Sequence, residues 1–382
     1  MKHILRRTAD YIRECDKILL ILCVFTTSFG CIAVLSATYR ITGNLRQFLM
    51  QSVCMIIGIV SIIVISNFNY KDIAKLWPII TLIGFFPVIL TFFIGYAPGE
   101  TNQKVWLSLP SGITFQPAEL LKIVFVMTFS YHVYRIGKNI CKFRHMFLLC
   151  IHGAIYVLLI HFQGDDGTAL VFAFMFLGMM FLAGIKLRYF IVAGGAAAIS
   201  LPIVFLYVMD NYQQNRITAL FSPTVADYQG VLWQQWRARI AFANGGFWGA
   251  GLFKGPYVQS GSIPEGYNDF IFASIGEELG MLGCLVVLIL LFAICARILK
   301  IGFLANNKMG LIICGGIFSM FAAQIIINIG MCLSVLPVIG VTLPLFSAGG
   351  TSLVCVFLGI GLVMSVYMHR NSGTIYLRDE FE

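Results

Sequence analysis

Long apolar runs alternate with short polar segments along almost the whole chain. A helix needs about 20 mostly apolar residues to cross the hydrocarbon core of a bilayer, and these runs are close to that length. The first is too long for the apolar part of a cleaved signal peptide and is interpreted as a retained span. The pattern predicts an all-α polytopic membrane protein with about ten transmembrane helices. The runs cover residues 18–39, 47–66, 77–95, 119–134, 146–162, 168–185, 189–209, 270–296, 309–331 and 349–368.

The composition excludes an ordinary soluble protein. Of the 382 residues, 59% are apolar and 11% are charged, whereas soluble domains carry roughly 25% charged residues. The formal charge of +9 comes from 26 Lys and Arg against 17 Asp and Glu. Most of these cations fall in the short segments on the side of the two termini. The positive-inside rule therefore predicts that both termini are cytoplasmic. Because the basic excess lies mainly in these short segments, a nucleic-acid partner is not expected.

One transmembrane domain, residues 18–369, is expected between a cytoplasmic N-terminal tail (1–17) and a cytoplasmic C-terminal tail (370–382). Two outer segments are unusual. Residues 210–269 form a long extracytoplasmic loop between spans seven and eight, and loops of that length usually have a function. Residues 332–348 are uncharged and contain two prolines. Because irregular backbone at membrane depth must be buried or line a cavity, this segment is predicted to be re-entrant before the tenth span.

The cysteines and histidines do not form a recognisable metal motif. Most of the eleven Cys residues lie inside apolar runs, where cysteine behaves as a small hydrophobe. The six His residues are scattered, without the HExxH spacing of a zinc site. No protein metal ligands are predicted.

Ionisable residues near the membrane are costly and are therefore functional candidates. Glu119 and Lys122 stand three residues apart in the fourth span, so they are predicted to form an ion pair. A structural role for the pair and a direct role in substrate binding both remain open. Asp165 and Asp166 lie in a short turn between two spans, where Asp and Gly most often serve turn formation.

Four carboxylates fall between residues 264 and 280, namely Glu265, Asp269, Glu277 and Glu278. Asp269 lies where the long loop enters the eighth span. Partial desolvation there is expected to raise the pKa of its carboxyl group, which suits a general base near neutral pH. A helix N-cap at residue 268 or 269 is the alternative, and composition alone favours it. Glu277 and Glu278 are expected in a buried polar network with the fourth or tenth span.

Three arginines of the long loop, Arg216, Arg237 and Arg239, are not explained by membrane orientation. Guanidinium groups bind diphosphates through paired hydrogen bonds. Solvated surface arginines are the common alternative.

The ordered motifs of the chain resemble those of the SEDS family (shape, elongation, division and sporulation), the RodA and FtsW type of peptidoglycan glycosyltransferase. The resemblance covers almost the full length. Its pieces are LRQF at 45–48, FQPAELLK at 115–122, Q-x-D-x-G-T at 163–168, the RI and loop segment at 216–252, PEGYNDFIFASIGEELG at 264–280 and NIGMCLSVLPVIGVTLPLFSAGGTS at 328–352.

This resemblance implies a hexosyltransferase that polymerises lipid II into β-1,4-linked glycan strands at the outer face of the bacterial cytoplasmic membrane. The family's acidic catalytic position corresponds to Asp269, which reverses the preference for a helix cap. Arg46, Lys122 and Arg216 are implied substrate-binding cations, and Glu265 a second carboxylate near the site. The growing charge on the diphosphate can be balanced by these cations or by a divalent cation, Mg²⁺ or Mn²⁺, and the sequence leaves both alternatives open. Structural support is assigned to Glu119, Gln116, Asp165, Glu277 and Glu278.

The resemblance also implies a class B penicillin-binding protein as the partner transpeptidase, besides contact with membrane lipids. The sequence does not separate cell elongation from division, although NIGM favours the elongation type. Tyr267, Asn268 and Arg237 depart from the usual family pattern. Two alternative functions remain: a flippase that carries lipid II across the membrane, and a non-enzymatic scaffold that activates its partner.

Overall fold

The computed structural model describes residues 13–97, 104–108, 114–207 and 209–370, which form a bundle of long helices with one small two-stranded sheet. Residues 1–12 and 371–382 of the two predicted tails lie outside the described residues. The helices are α1 Lys17–Thr42, α2 Arg46–Ser66, α3 Tyr70–Lys75, α4 Trp77–Ile94, α5 Pro117–Ile136, α6 Phe143–Phe162, α7 Asp166–Leu182, α8 Leu187–Tyr207, α9 Asn211–Phe221, α10 Trp233–Gly245, α11 Pro256–Gln259, α12 Ile271–Phe303, α13 Lys308–Cys332 and α14 Gly350–Met368, with strands β1 Leu107–Ser108 and β2 Thr114–Phe115.

Each of the ten predicted spans corresponds to one long helix of the described chain, which confirms the predicted fold class. Eight of these helices are long and apolar enough to cross a membrane by length and composition. The other two are α7, which has 17 residues, and α5, which carries Glu119, Lys122 and Arg135. Helix α12 continues to Phe303, beyond the predicted end of its span at residue 296.

The core is formed mainly by α5, α13 and α14, whose side chains are largely buried against one another and against α2 and α7. Helix α8 is the opposite case, because none of its described residues is buried. Side-chain caps fix several helix starts: Asp16 accepts from the Leu19 N–H at the start of α1, and Asn307 accepts from the Gly310 N–H at the start of α13.

The long loop, predicted from residue 210 to residue 269, contains helices α9, α10 and α11, which the hydropathy pattern did not predict. Helix α10 packs directly on α12. Gly245 at the end of α10 lies so close to α12 that a Cβ atom would overlap the Gly276 carbonyl oxygen. The loop is therefore part of the folded core at this end of the bundle.

The segment between α13 and α14 is irregular, and much of it is buried, as predicted for a re-entrant segment. Val338, Val341, Leu343 and Phe346 are all nearly inaccessible. Its backbone packs on α1, where a Cβ at Gly30 would lie 2.6 Å from the Leu345 carbonyl oxygen. We call residues 333–348 the inter-helix segment. Much of its non-helical backbone is buried among protein atoms, which is the condition under which such backbone is tolerated at membrane depth.

Candidate active site

Asp269 lies just outside the start of α12, where the long loop ends. The helix begins at Ile271, and its N-cap residue is Phe270, which makes no side-chain cap hydrogen bond. The helix-cap alternative for Asp269 and Asn268 is therefore wrong. Asp269 is partly buried, so its carboxylate is neither fully hydrated nor sealed in the core.

The surroundings of Asp269 favour its protonated form. Burial raises the pKa of the Asp269 carboxyl group from 3.8 to about 7, and the negative charges of Glu265 and Asp165 add to the effect. A carboxylate next to like charges and in a partly dry environment holds its proton more tightly. A group with a pKa near 7 has the acid–base strength required of a general base at neutral pH.

Glu265 belongs to the tight turn that precedes Asp269. Its backbone has a left-handed φ of +49°, a conformation that is uncommon for residues other than glycine. The Asn268 side-chain amide donates to the Glu265 carboxylate at 2.7 Å. The Glu265 carbonyl oxygen accepts from the N–H groups of Asn268 and Phe270. The turn thus brings a second, exposed carboxylate close to Asp269.

Asp165 caps the start of α7 and also accepts a hydrogen bond from Gln116, which lies between β2 and α5. One of its carboxylate oxygens accepts from the Thr168 N–H at 2.9 Å, and the other accepts from the Gln116 side-chain amide at 2.9 Å. Burial raises the pKa of Asp165. The neighbouring Asp166 contacts His161 at 2.6 Å and accepts from Gln213 of α9 at 2.8 Å.

The ion pair predicted in the fourth span is present. The Lys122 Nζ lies 2.8 Å from the Glu119 Oε1 in α5, and both side chains are almost completely buried. Ser352 of α14 donates to the other Glu119 oxygen at 3.0 Å. The two opposite charges neutralise each other inside the bundle. The hydrogen bond from Ser352 also connects the pair in α5 to α14.

The two predicted substrate-binding arginines differ in their surroundings. Arg46 is exposed at the first residue of α2. Arg216 lies on α9, and its Nη1 donates to the Val338 carbonyl oxygen at 2.7 Å. Arg216 therefore links the long loop to the inter-helix segment that runs beside Asp269.

Glu277 and Glu278 are buried, but the partners predicted for them were wrong. Glu277 accepts from the Asn244 side chain and from the backbone N–H groups of Tyr257 and Val258 in the long loop. Glu278 accepts from Ser36 of α1 at 2.5 Å and from the Gln259 side chain at 2.7 Å. Hydrogen bonds to the two carboxylates thus connect the long loop to α12 and α1. They do not connect α12 to the fourth or tenth span.

Two residues next to Asp269 were missed from the sequence. Asn328 of α13 is fully buried and donates to the Asp269 carbonyl oxygen at 2.8 Å. Gly340 of the inter-helix segment has a left-handed φ of +67°, and a Cβ there would lie 3.6 Å from the Asp269 Oδ2. A fully buried asparagine in an apolar span was the signal available, since buried polar groups are expensive unless paired.

Within the part of the chain that the structure describes, no three His, Cys, Asp or Glu side chains converge as a metal site. A divalent cation would therefore have few protein ligands here. Mg²⁺ commonly binds in this way, through one or two carboxylates together with substrate phosphates.

Comparison with known proteins places these features in a family context. A family model described as a cell cycle protein, covering FtsW, RodA and SpoVE, matches residues 16–372. The peptidoglycan glycosyltransferase MrdB of Escherichia coli K12 is 28% identical over 357 residues, which cover 93% of this chain and 94% of that protein. The probable peptidoglycan glycosyltransferase FtsW of Trichlorobacter lovleyi is 30% identical over 368 residues, which cover 94% of each chain.

Two solved structures share the fold. A chain from a peptidoglycan synthase complex that coordinates polymerization and crosslinking superimposes with a TM-score of 0.79 at 24% identity. The rod shape determining protein RodA of Thermus thermophilus superimposes with a TM-score of 0.69 at 22% identity. Each match covers 94% of this chain and 98% of the other.

Proposed function

Because the chain belongs to the FtsW, RodA and SpoVE family of cell cycle proteins, we propose that it is a peptidoglycan glycosyltransferase that polymerises lipid II at the outer face of the cytoplasmic membrane. Full-length relatives named as peptidoglycan glycosyltransferases support this assignment. The observation that carries the mechanism is the partly buried Asp269, whose carboxyl pKa is raised to about 7.

Asp269 acts as the general base in this proposal. A sugar hydroxyl is a poor nucleophile until a positioned base removes its proton. The acceptor's 4-hydroxyl gives its proton to Asp269 and attacks the anomeric carbon of the donor. The bond from that carbon to the diphosphate oxygen breaks, and undecaprenyl diphosphate leaves with the electron pair. Attack opposite the leaving group inverts the anomeric carbon and gives a β-1,4 linkage.

The leaving diphosphate requires positive charge in its neighbourhood. We assign this role to Arg216 and Arg46, because guanidinium groups bind phosphate oxygens through paired hydrogen bonds. The Lys122 ammonium group is bonded to Glu119 inside the bundle, so its effect on the diphosphate is less direct than that of the two arginines. If a divalent cation binds, Mg²⁺ or Mn²⁺ would supply positive charge that stabilises the leaving diphosphate.

The distribution of basic residues supports cytoplasmic termini and therefore an outer location for Asp269 and the long loop. The similarity to a chain of a synthase complex supports a crosslinking partner, which we propose to be a class B penicillin-binding protein.

The assay that tests this function supplies labelled lipid II to the full chain reconstituted in vesicles. A glycosyltransferase yields glycan polymer that a muramidase cleaves. Movement of labelled lipid II between leaflets without polymer supports the flippase instead, and absence of both activities supports the scaffold. Repeating the assay with a chelator tests whether a divalent cation takes part.

A further inference from the structure

The three consecutive peptide carbonyls that end with that of Asp269 each accept a hydrogen bond from a residue that lies far away in the sequence. The acceptors are the carbonyl oxygens of residues 267–269. Their donors are, in order, the backbone N–H of Ala348, the hydroxyl of Ser347 and the side-chain amide of Asn328, each at 2.8 Å. The donors all come from α13 or from the chain directly between α13 and α14.

Ser347 is the central connection. It is nearly inaccessible, and its hydroxyl accepts from the Leu343 N–H at 2.8 Å while donating to Asn268 O. The Ser347 carbonyl oxygen accepts from the Gln51 side chain of α2 at 2.9 Å. A single buried residue thus joins the backbone before Asp269 to the inter-helix segment and to α2.

Asn328 makes the corresponding connection to Asp269 itself. Its Nδ2 donates both to Asp269 O at 2.8 Å and to Val341 O at 2.7 Å. Both amide hydrogens are therefore used. They hold the backbone of Asp269 against residue 341, the neighbour of the glycine that lies opposite the carboxylate.

The physical need for such support follows from the position of Asp269 outside the helix. The residue precedes an N-cap without a side-chain bond, so regular helical hydrogen bonds do not fix its backbone. Fixing three successive carbonyls fixes the direction of its Cα–Cβ bond. A general base must lie within about 3 Å of the oxygen atom whose proton it removes, and a misplacement of about 1 Å costs on the order of 100-fold in rate.

We propose that Ser347 and Asn328 are positioning residues that aim the Asp269 carboxylate at the acceptor hydroxyl. This inference rests on the proposed function, because it assigns the two residues a part in that reaction. Neither residue touches the substrate in this account.

The chain offers a matched control for Ser347. Ser365, near the other end of α14, is also fully buried and also accepts from a backbone N–H, that of Tyr70 at 3.0 Å, while donating to Phe68 O at 2.6 Å. At about 1.5 Å per residue it lies roughly 20 Å along the helix from the active-site end. Ser347→Ala and Ser365→Ala therefore delete equivalent hydrogen bonds at different places.

The test measures lipid II polymerisation and the melting temperature of the full chain for both variants. Both should lose similar thermal stability. Ser347→Ala should lower kcat at least 10-fold with KM changed less than about 3-fold, whereas Ser365→Ala should keep kcat within about 2-fold of wild type. Ser347→Thr, which keeps the hydroxyl, should recover most of the lost rate. If Ser347→Ala does not fold, Ser347→Cys and Ser365→Cys replace the pair, with the same expected contrast.

Equal kcat losses at the two serines, or a Ser347→Thr variant as slow as Ser347→Ala, would overturn the positioning role. An Asp269→Asn variant in the same assay distinguishes failure of the positioning role from failure of the base assignment. If Asp269→Asn is inactive while Ser347→Ala behaves like Ser365→Ala, only the positioning role fails. If Asp269→Asn polymerises at the wild-type rate, the base assignment itself fails.

Discussion

The raised pKa of Asp269 predicts that this carboxylate makes the protein less stable as the pH rises from about 4 to about 7. In the unfolded chain an aspartate loses its proton near pH 3.8, but in the folded protein burial and the neighbouring acids delay this to about pH 7. Below pH 3.8 the group is protonated in both states and costs nothing. Between these two values the folded state binds more protons than the unfolded state, so stability falls as pH rises and stays low above pH 7.

The magnitude follows from the two pKa values. Each pH unit between 3.8 and about 7 contributes 1.36 kcal/mol, so the upper limit is about 4 kcal/mol. Because Asp269 is partly exposed, water reduces this cost, and about 2 kcal/mol is a realistic expectation. Asp269→Asn removes the charge and keeps the shape. The variant should therefore be more stable than wild type at pH 8, and the gain should disappear below about pH 4.

Thermal unfolding in detergent at pH 4, 6 and 8 measures this effect. Asp227 provides a control of opposite sign, because hydrogen bonds from the Thr224 hydroxyl and N–H lower the pKa of this exposed carboxylate. Asp227→Asn should reduce the melting temperature at pH 8, not raise it. An Asp269→Asn variant with no gain in melting temperature at pH 8, or with the same gain at pH 4, would refute the claim that burial of the charged carboxylate destabilises the protein.

Three further outcomes are expected. Gly340→Ala and Gly43→Ala carry the same left-handed backbone cost, but only the first places a methyl group near Asp269, so only the first should lower kcat for polymerisation several-fold; equal losses would contradict the geometry. Lys122→Met should destabilise the protein by about 3–5 kcal/mol because it leaves Glu119 buried and unpaired, and adding Glu119→Gln should restore much of the melting temperature; a double variant no more stable than the single one would argue against a structural pair. EDTA should slow polymerisation and Mg²⁺ should restore it, whereas an unchanged rate would exclude a required divalent cation.

The spans were predictable because the bilayer fixes the length of an apolar helix, so one-dimensional hydropathy carries most of the information. The Glu119 and Lys122 pair was predictable for a similar reason, since three residues along a helix bring side chains together. Both conclusions depend only on neighbours in sequence.

The contacts of Glu277 and Glu278 were not predictable, because their partners lie in a loop whose helices pack back on α12. The helix-cap alternative at residues 268 and 269 was wrong because the N-cap position of α12 is Phe270. Asn328 and Asp269 are 59 residues apart, so a link between them has no local sequence signal. The long-range contacts around the site required the folded structure.

In the proposed reaction, the Asp269 carboxylate removes the proton from the acceptor hydroxyl. The most direct measurement is the initial rate of lipid II polymerisation by wild type, Asp269→Asn and Asp227→Asn at equal amounts of folded protein. Loss of a general base typically costs 10²–10⁴-fold, so Asp269→Asn should fall into that range while Asp227→Asn stays within about 2-fold of wild type. A folded Asp269→Asn variant that polymerises lipid II at the rate of Asp227→Asn would contradict the claim.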